Sequence, residues 1–185
     1  MSEAVIEENH VMVNGDGDEP TTAAPAPIPM ATQKEIILTD YIRKSLEIVA
    51  SAEGFRNYDF VIDHGSSVGD GFVGVIYKVQ IKENDSDKKL SVLAKVLPES
   101  KARREQPGTL PMFEREVYVY NVLLPELVAF QKEKKITRSQ GFYNFPKVYY
   151  ADYDEELRDG IIIMEDLRDT GHRMWDKYKP IDLEH

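Results

Sequence analysis

Cysteine is absent from the chain, which excludes disulfides and thiolate-ligated zinc and fits a reducing compartment. A cytoplasmic protein is therefore the expectation. Histidine is scarce: His10, His64, His172 and His185 are far apart, with no i, i+4 pair, so a zincin-type metal site has no support. No apolar run approaches the ~18–20 residues needed to cross a bilayer. The N-terminus carries no basic segment followed by an apolar core, so no secretory signal is visible and no membrane association is expected. Cations are missing from the first 33 residues, which hold Glu3, Glu7, Glu8, Asp16, Asp18 and Glu19 but no Lys or Arg. That stretch accounts for −6 of the formal net charge of −10, leaving −4 on the rest. Binding to a nucleic-acid backbone needs clustered cations, so a nucleic-acid partner is not expected.

What is present fits one ordinary domain preceded by a tail. The 185 residues are 42% hydrophobic and 30% charged, a globular composition. Residues 1–33 are acidic and then rich in Pro, Ala and Thr, too poor in large apolar groups to offset the entropy of ordering, and read as a disordered tail. Thr32-Gln33-Lys34-Glu35 fits a capping box, and Ile37, Tyr41, Ile42, Leu46 and Val49 recur at helical spacing until Gly54. A short strand over 58–64 follows. Val75, Tyr77, Val79 and Ile81 alternate with Ile76, Lys78, Gln80 and Lys82, and a polar turn leads to a return strand over 90–97, which together predict a hairpin. Pro98 to Pro111 reads as a charged loop. Phe113, Val117, Tyr120, Leu124, Leu127 and Val128 mark the buried stripe of a helix that Pro125 is expected to kink or break. Two further strands fit 146–152 and 160–166.

Three features carry chemistry. Gly69-Asp70-Gly71-Phe72-Val73-Gly74 matches G-x-G-x-x-G, a weak pattern shared by two unrelated phosphate sites and by ordinary flexible turns. A dinucleotide fold needs the third glycine to open a helix. Here Gly74 opens an alternating strand, which disfavours a dinucleotide-dependent oxidoreductase and suits a glycine hairpin folded over a triphosphate. Lys95 lies inside the apolar strand Val92-Leu93-Ala94-Lys95-Val96, where an ammonium is costly unless paired. The following helix offers Glu116, which shares a face with Phe113 and Tyr120, ahead of Glu114, which points further round. Taken singly, Lys95 is more often a strand-edge lysine with its stem packed and its head in water, and Glu116 is more often solvated helix surface. Finally, the apolar strand Ile161-Ile162-Ile163-Met164 turns polar at Glu165-Asp166-Leu167. In a kinase that is the connector whose backbone reads adenine, with Met164 behind the base.

The run Gly69-Asp70-Gly71-Phe72, then Leu93-Ala94-Lys95, then Phe113 to Tyr120 with Leu124-Pro125, then Phe145-Pro146-Lys147-Val148-Tyr149, then Ile163-Met164-Glu165-Asp166-Leu167 resembles the ecdysteroid kinase-like (CHK kinase-like) family. That family is related to choline kinases and aminoglycoside phosphotransferases. The resemblance covers roughly residues 35–185. It implies an α+β fold of the protein kinase-like small-lobe type: an antiparallel sheet of about five strands, an αC-type helix and an extra N-terminal helix. It also implies ATP with Mg²⁺, and transfer of the γ-phosphate to a hydroxyl of a small lipophilic molecule such as an ecdysteroid. Gly69, Asp70, Gly71, Phe72, Gly74, Lys95, Glu116, Met164, Glu165, Asp166 and Leu167 would then meet ATP. Residues 34–167 would form the ATP-binding lobe, and 168–185 the connector and the start of a second lobe. The family's catalytic loop, His-Gly-Asp-x-Trp-x-x-Asn, and its later Mg²⁺-binding Asp do not occur in these residues, so no catalytic residue and no metal ligand are assigned. The Mg²⁺ ligands and the acceptor site are expected in a lobe beyond this chain, and the polypeptide alone is expected to be inactive. A non-catalytic nucleotide-binding or regulatory module is the alternative.

Overall fold

The computed structural model describes residues 36, 38–65, 73–173, 175 and 179–180. The chain divides into two units, Met1–Lys34 and Glu35–His185, and the described residues all belong to the second. The tail and Thr32–Glu35 lie outside them.

Helix α1 spans Asp40–Ala52 and starts on Thr39, whose side chain accepts the Ile42 N–H at 3.3 Å. A helix start near Thr32 is therefore corrected: Ile36, Leu38 and Thr39 are not helical. Thr39 with Asp40 in the first turn supplies the acceptor and the charge that a helix N-terminus favours. Strands β1 (Tyr58–His64), β2 (Val75–Glu83) and β3 (Lys89–Val96) form an antiparallel meander. The supposed loop from Pro98 to Pro111 is also corrected. It holds a short helix α2 (Lys101–Arg104) and the first turn of α3 (Thr109–Tyr118). Pro111 is tolerated there because first-turn N–H groups have no intrahelical partner.

Pro125 neither breaks nor ends the long helix. A π-helical segment, Val119–Leu123, joins α3 to α4 (Leu124–Glu133), and the Leu124 N–H bonds to the Val119 carbonyl five residues back. Proline lacks the N–H for the ordinary ladder, so the chain absorbs it by widening one turn. The extra residue per turn rotates the apolar stripe. Phe113, Val117 and Leu124 are buried, but Leu127, predicted to continue that stripe, is exposed.

Strands β4 (Val148–Asp154) and β5 (Asp159–Glu165) complete an antiparallel five-stranded sheet in the order β1-β2-β3-β5-β4. Alternation sends the two faces to different cores. Tyr77, Val79, Ile81, Val92, Ala94, Val96, Ile161 and Ile163 pack with Ile42, Leu46 and Val49 of α1. The opposite face sends Ile162, with Leu97 and Ala151, against Phe113 and Val117 of α3. The Tyr41 hydroxyl donates to Asp152 Oδ2 at 2.8 Å, tying α1 to β4, and burial followed by that carboxylate raises the phenol's pKa above its ordinary value.

Candidate nucleotide-facing site

The α3 face of the β2–β3 hairpin carries a row of residues that are neither buried nor free. Along β2 and β3, buried side chains on the α1 side alternate with half-buried ones on the other: Ile76, Lys78, Gln80, Ser91, Leu93 and Lys95. Register sets Lys95 opposite Ile76 and beside Ile162, and Leu93 opposite Lys78 and beside Met164. A cation, a cluster of apolar groups and a methionine thus share one partly open surface. The strands fix it, so it owes little to side-chain flexibility.

Lys95 Nζ lies 2.5 Å from Glu116 Oε2, with side chains 21% and 28% exposed. The pair forms because Phe113, fully buried, and Val117 pin α3 against Ile162. That leaves Glu116, one residue before Val117, turned along the sheet face. Glu114, the second candidate, is exposed. With two half-open partners, the ammonium and carboxylate remain accessible to a further charged group. Gly74 lies directly before β2 and is buried. A Cβ there would fall 2.7 Å from the Val96 carbonyl oxygen and 3.3 Å from the Lys95 side chain, so only glycine leaves Lys95 its path across the hairpin. The other loop positions singled out from the sequence, Gly69, Asp70, Gly71 and Phe72, lie outside the described residues.

At the far end of β5, Met164, Glu165 and Asp166 part company. Met164 faces the α3 side and packs at the edge of its core. The Glu165 N–H donates to the Lys147 carbonyl at 2.8 Å, and its carboxylate accepts the Lys147 N–H at 3.1 Å, so that side chain serves the β4 edge. The Asp166 side chain is fully buried. It caps a 3-10 turn, Leu167–Thr170, by accepting the Arg168 N–H at 3.1 Å. It also takes Arg168 Nε at 2.7 Å and Nη2 at 2.9 Å, and lies 3.3 Å from Lys78 Nζ. These bonds, that from Arg168 foremost, hold its carboxyl below the usual carboxylate range, and Asp166 raises the guanidinium in turn. Part of the connector backbone is engaged as well: the Asp166 carbonyl accepts the Asp169 N–H at 3.0 Å, and the Leu167 carbonyl accepts the His172 N–H at 3.1 Å and the Thr170 hydroxyl at 2.8 Å.

Sequence reasoning singled out Lys95, Glu116, Gly74 and Met164, which share this region. It missed Ile76 and Leu93 as a surface, although stepping back two residues from Lys95 along a strand gives Leu93, and hairpin register gives Ile76. It also missed Lys78 and Arg168. Among the described residues no group of three or more His, Asp or Glu side chains could hold a metal ion. Two grooves lie elsewhere, about 710 Å³ between α1 and β1 and about 620 Å³ beside α4 and Lys147. Neither is lined by Lys95 or Glu116. No helix among the described residues is long and apolar enough to cross a membrane.

An antiparallel five-stranded sheet whose third strand offers a lysine to a glutamate on α3 is the α+β small lobe of a kinase-like fold. The ecdysteroid kinase-like family model matches residues 68–185, and the chain belongs to that family. By family it is a kinase-like phosphotransferase, a class that works with ATP, Mg²⁺ and a small-molecule substrate. Neither the curated proteins nor the solved structures yielded a match.

Proposed function

We propose that this chain binds ATP on the α3 face of the β2–β3 hairpin and serves as the nucleotide-binding lobe of a small-molecule kinase. The observation that carries the reading is the Lys95–Glu116 pair, 2.5 Å apart on a half-open face beside Ile76 and Leu93. In kinases a lysine so held meets the α- and β-phosphates, and the glutamate keeps it aimed. Gly69, Asp70, Gly71, Phe72 and Gly74 would bring backbone N–H groups to the phosphates, because a side chain would hold that backbone away. Ile76 and Leu93 would cover one side of the adenine and Met164 would close its rear. The backbone of Glu165, Asp166 and Leu167 would meet the base edge. ATP fits this set: it needs one cation, an apolar slot of ring thickness and backbone groups at the rim.

Transfer itself needs an aspartate to take the hydroxyl proton and ligands for Mg²⁺, and residues 1–185 offer no such loop. The 185-residue polypeptide is therefore expected to bind nucleotide without turning it over, the acceptor being a lipophilic alcohol, ecdysteroids among them, in a protein that also carries a catalytic lobe. Calorimetric titration of this polypeptide tests the reading. ATP should bind more tightly than adenosine, and no phosphorylated ecdysteroid should accumulate at turnover-level yield. Equal affinity for the two ligands, or none for either, would remove the phosphate-binding role; turnover would overturn the assignment of the chemistry to a further lobe.

A further inference from the structure

Arg168 ties the connector to the base of the glycine-bearing hairpin. Arg168 follows the backbone assigned above to the adenine edge, and its guanidinium uses three nitrogens at once. Nε and Nη2 grip the two oxygens of Asp166 at 2.7 and 2.9 Å, and Nη1 donates to the Gly65 carbonyl at 2.9 Å. A forked pair of this kind fixes orientation as well as charge. Asp166 is a firm anchor. Its side chain is fully buried, and Lys78 on β2 lies 3.3 Å from Oδ2. Lys78 also lies 3.6 Å from Asp169 on the same turn.

The other end of the tie is equally constrained. Gly65 directly follows β1 and donates its N–H to the Ile76 carbonyl at 2.8 Å. A Cβ at Gly65 would fall 2.7 Å from Ile76 Cγ2 and 2.9 Å from the Tyr77 carbonyl carbon, so glycine alone allows this backbone approach. Whatever holds the Gly65 carbonyl therefore also holds Ile76, one of the two apolar groups assigned above to the face of the adenine. The path runs from connector to Arg168, Gly65 and Ile76, with Lys78 and Asp166 bracing it from beneath.

We propose that Arg168 is a positioning residue for base recognition: clamped by Asp166, it holds the Gly65 carbonyl so that Ile76 and Leu93 stand at a fixed height over the connector backbone. This rests on the nucleotide reading above and adds that the width of the base slot is set from outside it. Arg168 touches no phosphate in this role, so its loss acts on the base alone. Of the three guanidinium bonds, the one to the Gly65 carbonyl preorganises the slot, and its loss is expected to weaken binding by about tenfold.

NMR titrations of wild type, Arg168→Ala and Arg168→Lys with adenosine and with ATP test this. Both variants should lose about the same factor for adenosine and for ATP. Lysine keeps the charge beside Asp166 but cannot grip a carboxylate and reach Gly65 together, so it should behave like alanine while retaining more of the thermal midpoint. A purely stabilising ion pair predicts the opposite, with lysine restoring affinity along with stability. Wild-type adenosine affinity in Arg168→Lys, or a loss seen with ATP alone, would overturn this inference and leave the nucleotide reading standing. A wild-type chain that binds neither ligand would remove both.

Discussion

Replacing Lys95 with methionine is expected to lower ATP affinity by about ten- to a hundredfold while barely moving the thermal midpoint. The size follows from losing a charge-assisted contact to phosphate, on the order of 1.5–3 kcal/mol. The small stability change follows from the geometry. Lys95 and Glu116 are 21% and 28% exposed, and partly solvated pairs contribute on the order of 0–1 kcal/mol to folding. Methionine keeps the stem that crosses Gly74 and covers the sheet. Glu116→Gln should give a smaller loss in affinity, since the lysine stays but is aimed less well. The double variant should resemble Lys95→Met, because residues acting through one contact are not additive. A Lys95→Met protein that unfolds readily yet binds ATP as before would make the pair structural. Equal affinities measured by titration alongside equal melting curves would deny it any role with nucleotide.

The second large effect concerns what holds Glu116 in place. Phe113 is fully buried and fills the space between α3 and the sheet. Its ring lies so close to β5 that a Cβ at Gly160 would fall 2.6 Å from Cε1 and 2.8 Å from Cδ1. Phe113→Ala should cost about 3–5 kcal/mol, transfer and cavity together. Gly160→Ala should cost about 1–3 kcal/mol by overfilling the same site, since a buried ring has nowhere to swing. The two sites are in contact, so their effects should couple: Gly160→Ala combined with Phe113→Leu should recover part of the loss of either alone. Urea midpoints at constant slope give these values. Additive losses, or a Gly160→Ala protein as stable as the parent, would mean that α3 does not press on β5 as described.

Much of this architecture was legible from residue order alone. Strict alternation of Val75, Tyr77, Val79 and Ile81 specified β2 because a strand sends successive side chains to opposite faces. An ammonium inside the apolar strand at Lys95 is costly unless paired, and helical spacing from Phe113 put Glu116 ahead of Glu114. Other features were hidden for identifiable reasons. Pro125 announces a disturbed helix without saying whether the chain will kink, stop or widen, and the π segment shows the third. The helix start moved from Thr32 to Thr39 because either threonine satisfies the local capping rule. Asp166 looks like a solvent-facing acid in sequence, yet it is buried because Arg168 and Lys78 converge on it. Lys78 lies 88 residues before that aspartate, and Arg168 meets a carbonyl 103 residues away. No local pattern encodes such pairings. Ile76 and Leu93 emerge as a surface only once the register of the hairpin is known.

Nucleotide binding at this site requires the ammonium of Lys95 to be available to the phosphates, and site-resolved labelling with an amine-reactive probe reads that directly. Modification of Lys95 should proceed in the unliganded protein, slow markedly with ATP and continue almost unchanged with adenosine, which lacks phosphates. Labelling of Lys95 that is indifferent to ATP under conditions where other lysines react normally would contradict it.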